Sequence, residues 1–149
     1  MSSRFSHRLE VRFRDCDAMG HTNNAVYLTY LEQARFAHWR SLWGFGNPQT
    51  PPDLPGVILA RVEADYKRPS RYGDVLEIRI TVAEIGRTSF RYEYEIVDEQ
   101  GRTVLTAKTV QVMYDYAAEK PVPIPAAIRA LLAPDRSHRP LNADARNDE

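Results

Sequence analysis

At 149 residues and 43% hydrophobic, the chain is sized for one domain with its own core. Its 20 basic and 20 acidic side chains cancel, which argues against wholesale nucleic-acid binding. A single cysteine, Cys16, permits no intrachain disulfide, the segment MSSRFSHRLEVRF has no apolar signal core, and no apolar run is long enough to span a bilayer. A cytoplasmic protein with no membrane partner is expected.

The first element is a strand. Leu9, Val11 and Phe13 alternate with Glu10, Arg12 and Arg14, a period of two that marks a half-buried ribbon. Asp15 continues the apolar face and is expected to point inward. A short turn follows with Gly20, His21, Thr22, Asn23 and Asn24, and either asparagine can cap the next helix. From Ala25 to Trp43 there is no Gly or Pro. Val26, Tyr27, Tyr30, Leu31, Ala34, Ala37, Ser41 and Leu42 share one broad face, and Gly44, Gly46 and Pro48 stop the helix. Roughly 20 residues at 1.5 Å rise would cross a whole sheet. Glu32 is expected to pair with Arg35 or to face solvent.

Asn47 to Pro55 holds four prolines and reads as a loop. Four strand-like runs follow: Val57 to Tyr66, Val75 to Ile85, Ser89 to Val97 and Thr103 to Tyr114. Phe90, Tyr92, Tyr94 and Ile96 form one face of the third, opposite Arg91, Glu93 and Glu95. The short connections imply antiparallel neighbours. PVPIP at Pro121 to Pro125 interrupts, and Ala126 to Ala133 suits a short helix. Residues 1–134 are expected to form the single domain, and 135–149 a polar, disordered tail. One strand, one long helix and four antiparallel strands bury their apolar faces most economically if the sheet wraps the helix.

The chemistry concentrates in Val11 to Arg35. A carboxylate beside a helix N-terminus meets unpaired N–H groups and partial positive charge. Together they can polarise a carbonyl and attack it. Asp17 fits that role, or it merely caps its own turn. Asp15 reads as structural. His21 either orients a substrate and supplies a proton or is an ordinary turn residue. Cys16 stands between two carboxylates, a poor setting for a thiolate nucleophile. No Cys-x-x-Cys or His-x-x-x-His spacing occurs, so no metal site is expected.

RDCDAMGHTNNAVYLTYLEQAR resembles the active-site signature of the 4-hydroxybenzoyl-CoA thioesterase-like acyl-CoA thioesterases. The pattern D-x-D-x-x-G followed by a Tyr-containing, E-x-x-R-bearing helix is carried here by Asp15, Asp17, Gly20, Tyr27, Glu32 and Arg35. VEADYKRPSRYGDVLEI, EIGRTSF and PVPIP also resemble that family. The resemblance implies an α+β hotdog fold, an antiparallel five- to six-stranded sheet wrapped around one long central helix. It implies Asp17 as the catalytic carboxylate and an oxyanion-binding N–H near Asn24. Gly20 and His21 belong to the same motif. It also implies an acyl-CoA substrate, no cofactor, and a homodimer or dimer of dimers with sites between protomers. Some relatives carry an aromatic residue where Asn24 stands. Coenzyme A phosphates call for surface cations. The candidates are Arg61, Lys67, Arg68, Arg71 and, foremost, Arg87 in the EIGRTSF turn. Two other functions fit the residues: a hotdog hydratase or dehydratase using Asp17 and His21, and a non-catalytic acyl-CoA-binding module.

Overall fold

The structure is a computed structural model that describes residues 5–44 and 55–133. Most of the proline loop and the C-terminal tail lie outside the described residues. Strand β1 (Phe5–Glu10) leads through a 3-10 turn (Phe13–Asp15) to helix α1 (Val26–Trp43). Strands β2 (Gly56–Tyr66), β3 (Val75–Ile85), β4 (Ser89–Val97) and β5 (Thr103–Asp115) follow, then a two-residue β6 (Lys120–Pro121) and helix α2 (Ala126–Leu132). The sheet is antiparallel and six-stranded, in the order β1-β3-β4-β5-β2, with β6 on β5. This is the expected α+β hotdog fold. Among the described residues no helix is long and apolar enough to cross a membrane.

Alternation sets the core. Leu76, Ile78 and Ile80 of β3, Phe90, Tyr92 and Ile96 of β4, and Leu105 and Met113 of β5 are each at most 1% exposed. Leu31 and Ala34 of α1 meet them. Each large aliphatic side chain removed from water contributes roughly 1.5–3 kcal/mol. The outward residues are charged: Arg79 reaches Glu77 and Glu95 at 3.3 and 3.7 Å, and Arg91 reaches Glu84 and Glu93 at 3.6 and 3.8 Å. Such half-exposed pairs keep the outer face soluble more than they stabilise it.

Two expectations need correction. The first strand stops at Glu10, because its partner β3 begins at Val75 and offers nothing further to pair. Phe13 therefore turns outward, 78% exposed, with its ring edge-on to Tyr72 at 5.9 Å. Asp15 still arrives inside, through the 3-10 turn instead of a strand. The second correction concerns α1. Its inner face carries Arg35, His38 and Trp39 beside Tyr27, Tyr30, Leu31 and Ala34, while Ser41 is exposed.

The polar residues of that face are tolerable because the sheet supplies matching hydroxyls. Trp39 Nε1 donates to Tyr92 Oη at 2.8 Å, and His38 Nδ1 lies 2.8 Å from the same oxygen. Burial lowers the His38 pKa to about 4. Arg35 Nη1 donates to Tyr94 Oη at 3.3 Å, and Tyr94 continues to Thr109 at 2.5 Å. Thr109 donates to Gln111, whose amide reaches Phe90 O at 3.1 Å. A buried polar group costs little once paired.

Candidate active site

The chain enters the site through a turn stitched at both ends. Cys16 bridges Thr22, Asp17 N–H donates to His21 O at 2.9 Å, and Gly20 N–H to Asp17 O at 3.0 Å. Gly20 sits at φ 81°, a left-handed conformation that a side chain would disfavour. Asn23 then starts the helix: its side-chain oxygen accepts from Ala25 N–H, and its carbonyl from Val26 N–H, both at 2.9 Å.

The two aspartates of this segment have different fates. Asp15 is 4% exposed and saturated. It accepts from Arg12 N–H at 3.0 Å, from Arg12 Nη2 at 3.1 Å and from Tyr30 Oη at 2.8 Å. Burial alone would raise its pKa, but the Arg12 and Tyr30 hydrogen bonds outweigh that and hold the carboxyl below its ordinary range. Its carbonyl takes Asn23 N–H at 2.9 Å, which ties the strand end to the helix start. Asp17 is exposed. Its Oδ1 accepts from Met19 N–H at 2.9 Å, the turn-capping contact foreseen from sequence, and Oδ2 is uncommitted among the described residues.

Asp17, His21 and Asn24 line one cleft of about 390 Å³, with Met19, Thr22 and Tyr27 on one side and Tyr66, Lys67, Arg68 and Pro69 on the other. Asn24 N–H finds no acceptor among the described residues. Lys67 and Arg68 are exposed at the rim, where their own N–H groups hold Val104 O at 2.9 and 3.1 Å. The cleft therefore collects a half-free carboxylate, an unclaimed N–H at a helix start and two cations.

Two residues that support the site lie in the segment VEADYKRPSRYGDVLEI, where no local pattern marks them individually. Tyr66 Oη donates to Asn24 O at 2.9 Å and its ring packs 5.6 Å from Tyr27. Ser70 is 1% exposed and anchors the turn to the β2–β3 loop. Its hydroxyl lies 2.6 Å from Thr22 Oγ1 and 2.7 Å from Tyr27 Oη, and its carbonyl accepts Thr22 N–H at 2.8 Å. Short polar residues in a loop have no period that would flag them.

Other candidates lie elsewhere. Arg61 is on β2, paired with Glu63 at 2.8 Å. Arg71 is exposed beyond Ser70, where its N–H donates to Asp74 at 2.8 Å. Arg87 occupies the β3–β4 turn, beside Val112 of β5, which in turn pairs with Ile58 of β2, the end of the sheet remote from Lys67. That turn is pinned from α2 and the segment before it: Arg129 Nη2 donates to Gly86 O at 2.7 Å and Ile124 N–H to Arg87 O at 2.9 Å. Glu32 faces solvent without meeting Arg35, which points to the core. Cys16 is half-buried, its thiol 3.8 Å from Arg12 O.

Comparison with known proteins agrees with this geometry. Residues 11–132 match the family model of the thioesterase-like superfamily. A 1,4-dihydroxy-2-naphthoyl-CoA hydrolase of Synechococcus elongatus is 32% identical over 117 residues, covering 77% of this chain and 85% of the relative. An acyl-CoA thioester hydrolase of Escherichia coli is 25% identical over 122 residues, covering 82% and 90%. A Thermus thermophilus thioesterase, solved with coenzyme A and zinc, superposes with a TM-score of 0.73 at 32% identity, covering 85% of this chain and 95% of that one. On the match over residues 11–132 and the likeness to these proteins in sequence and fold, the chain belongs to the thioesterase-like superfamily and is a thioester hydrolase.

Proposed function

We propose that the enzyme hydrolyses acyl-CoA thioesters in the cleft at the start of α1. The observation that carries this reading is the pairing of an uncommitted Asp17 oxygen with the unclaimed Asn24 N–H on one cleft. The thioester carbonyl accepts from Asn24 N–H, so the charge that develops on its oxygen is stabilised where the helix is partially positive. Asp17 either attacks the carbonyl carbon, forming a mixed anhydride that water then cleaves to the free acid, or takes a proton from a water that attacks the carbon itself. The thiolate of coenzyme A leaves, and His21, on the same cleft, is placed to protonate it. Ser70 and Tyr66 hold the turn and the helix start in register. Lys67 and Arg68 attract the phosphates of the nucleotide.

Arg87 joins this site only across a two-fold axis. β2 is a sheet edge with Leu59 and Val62 exposed at 48% and 38%. Open apolar edges favour pairing. Two copies paired antiparallel through β2 bring the Arg87 end of one beside the Lys67 end of the other, so the working unit is a homodimer.

Thiol release from a panel of aromatic and aliphatic acyl-CoAs, run against enoyl-CoA hydration, tests the reading. Thiol release with no hydration is expected. Hydration without thiol release would assign the Asp17–His21 pair to hydratase chemistry, and binding without either would leave only an acyl-CoA-binding module.

A further inference from the structure

Two loops beside the cleft carry a patch that the chemistry leaves unused. Phe13, in the 3-10 turn, meets Tyr72, in the β2–β3 loop, yet both rings stay open to water, Tyr72 at 64% exposure. Large aromatic side chains that touch each other in solvent form a patch instead of a scatter. Arg14 and Arg71 adjoin them in sequence, are exposed, and have no ion-pair partner among the described residues. Lys67 and Arg68, exposed and equally without an ion pair, share the loop of Tyr72 and line the cleft. The carboxylates of the two loops are engaged or face elsewhere. Asp15 is buried under Arg12 and Tyr30, Asp74 accepts Arg71 N–H at 2.8 Å, and Asp17 lines the cleft. The β4–β5 turn at the same end of the sheet is paired within itself, Arg102 to Asp98 at 2.9 Å. The surplus charge around the aromatic pair is positive.

We propose that this patch docks an acidic carrier protein that presents an acyl group as a thioester on a flexible phosphopantetheine arm. The inference rests on the cleft assigned above and adds a second form of its substrate. Coenzyme A and such a carrier share the pantetheine thioester, so Asp17 and the Asn24 N–H meet the same reacting group in both. They differ beyond the arm, where one has a nucleotide and the other a protein surface. Lys67 and Arg68, on the cleft, suit a phosphate of either. Phe13, Arg14, Arg71 and Tyr72 line no part of the cleft. The two rings stand at 88° to each other, so they offer no parallel faces to clamp a base. Aromatic side chains beside arginines are instead the composition of protein interfaces. Unpaired cations around them complement an acidic surface and steer it to the mouth of the cleft. The arm then reaches Asp17 while the body of the carrier stays outside.

Thiol release from one acyl group, carried either on coenzyme A or on an acidic acyl carrier protein, tests the patch in the wild type and in Phe13→Ser, Arg14→Glu and Arg14→Lys. The wild type should hydrolyse both thioesters. Phe13→Ser and Arg14→Glu should each raise KM for the carrier thioester about tenfold with kcat unchanged, and leave both constants for acyl-CoA within about twofold. Arg14→Lys keeps the charge and should keep the wild-type KM. Turnover of acyl-CoA reports a folded site in every variant. Hydrolysis of acyl-CoA without hydrolysis of the carrier thioester would overturn the proposal and leave the cleft reading intact, whereas failure on both thioesters would end the two together. An equal rise in KM on both substrates would give the patch to the nucleotide or to the fold. An unmoved carrier KM, with binding to anionic lipid vesicles lost in Phe13→Ser and Arg14→Glu, would give it to a lipid surface. Either result would overturn the proposal.

Discussion

The middle of α1 and its N-terminal end treat polar groups in opposite ways. In the middle, Arg35, His38 and Trp39 are buried, and each meets a tyrosine hydroxyl from β4. At the N-terminal end, Asp17 keeps one oxygen uncommitted and Asn24 N–H has no acceptor among the described residues. Satisfied groups fix the helix on its sheet. Unsatisfied groups at its open end remain available to a substrate. The same division separates Asp15 from Asp17, two residues apart.

The sharpest way to break that comparison is at Asp17. Asp17→Asn should lower kcat about 100-fold or more while leaving the unfolding midpoint in place. Near-normal turnover would move the chemistry elsewhere.

Asp15→Asn should do the reverse. It replaces a buried, fourfold-bonded carboxylate with a group that presents a donor to Arg12, and the cost in stability is about 1–3 kcal/mol by urea unfolding. An unchanged midpoint would show that the turn does not depend on it.

His38 sharpens the account of the middle. Its folded pKa of about 4 lies below the unfolded 6.5, so the unfolded chain takes up the proton first as pH falls. Its contribution is complete above about 6.5 and is lost as pH drops toward about 4, with a slope of up to about 1.4 kcal/mol per pH unit. Asp15, also depressed, adds loss in the same direction at lower pH. His38→Gln should flatten the upper part of that profile, and an unaltered slope would remove His38 from it.

Arg87→Ala carries the smallest effect. KM for acyl-CoA should rise roughly tenfold or less with kcat little changed, because a solvent-exposed phosphate contact is equal in ground and transition states. The rise should shrink with a truncated pantetheine thioester. An equal rise on both substrates would mean that Arg87 acts through the β3–β4 turn it occupies.

Much of this division was visible in the sequence. Period-two alternation placed β3 and β4 at their observed bounds, because both bury one face and expose charges on the other. The same rule failed at Phe13, where the alternation outlasts the pairing partner and the chain turns away. The inner face of α1 was misjudged for a different reason. Arg35 and His38 count against a core until Tyr92 and Tyr94 are known to lie opposite, and that is a contact between segments some 55 residues apart. Asp17, Gly20, His21 and Asn24 were legible as one local segment. Ser70 and Tyr66 were not, since Tyr66 reaches the cleft from a distant strand and Ser70 braces the turn from a distant loop. The distance of Arg87 from the cleft needed the strand order, which alternation does not contain.

The central claim is that the main-chain N–H of residue 24 binds the developing oxyanion, and two substitutions at that position isolate it. Asn24→Ala keeps the N–H. Asn24→Pro removes it at the start of a helix, where proline is tolerated and the group has no partner to lose. With folding checked by circular dichroism, thiol release should stay within a few-fold of wild type in Asn24→Ala and fall about 100- to 1,000-fold in Asn24→Pro. A folded Asn24→Pro variant that turns over like Asn24→Ala would contradict the account.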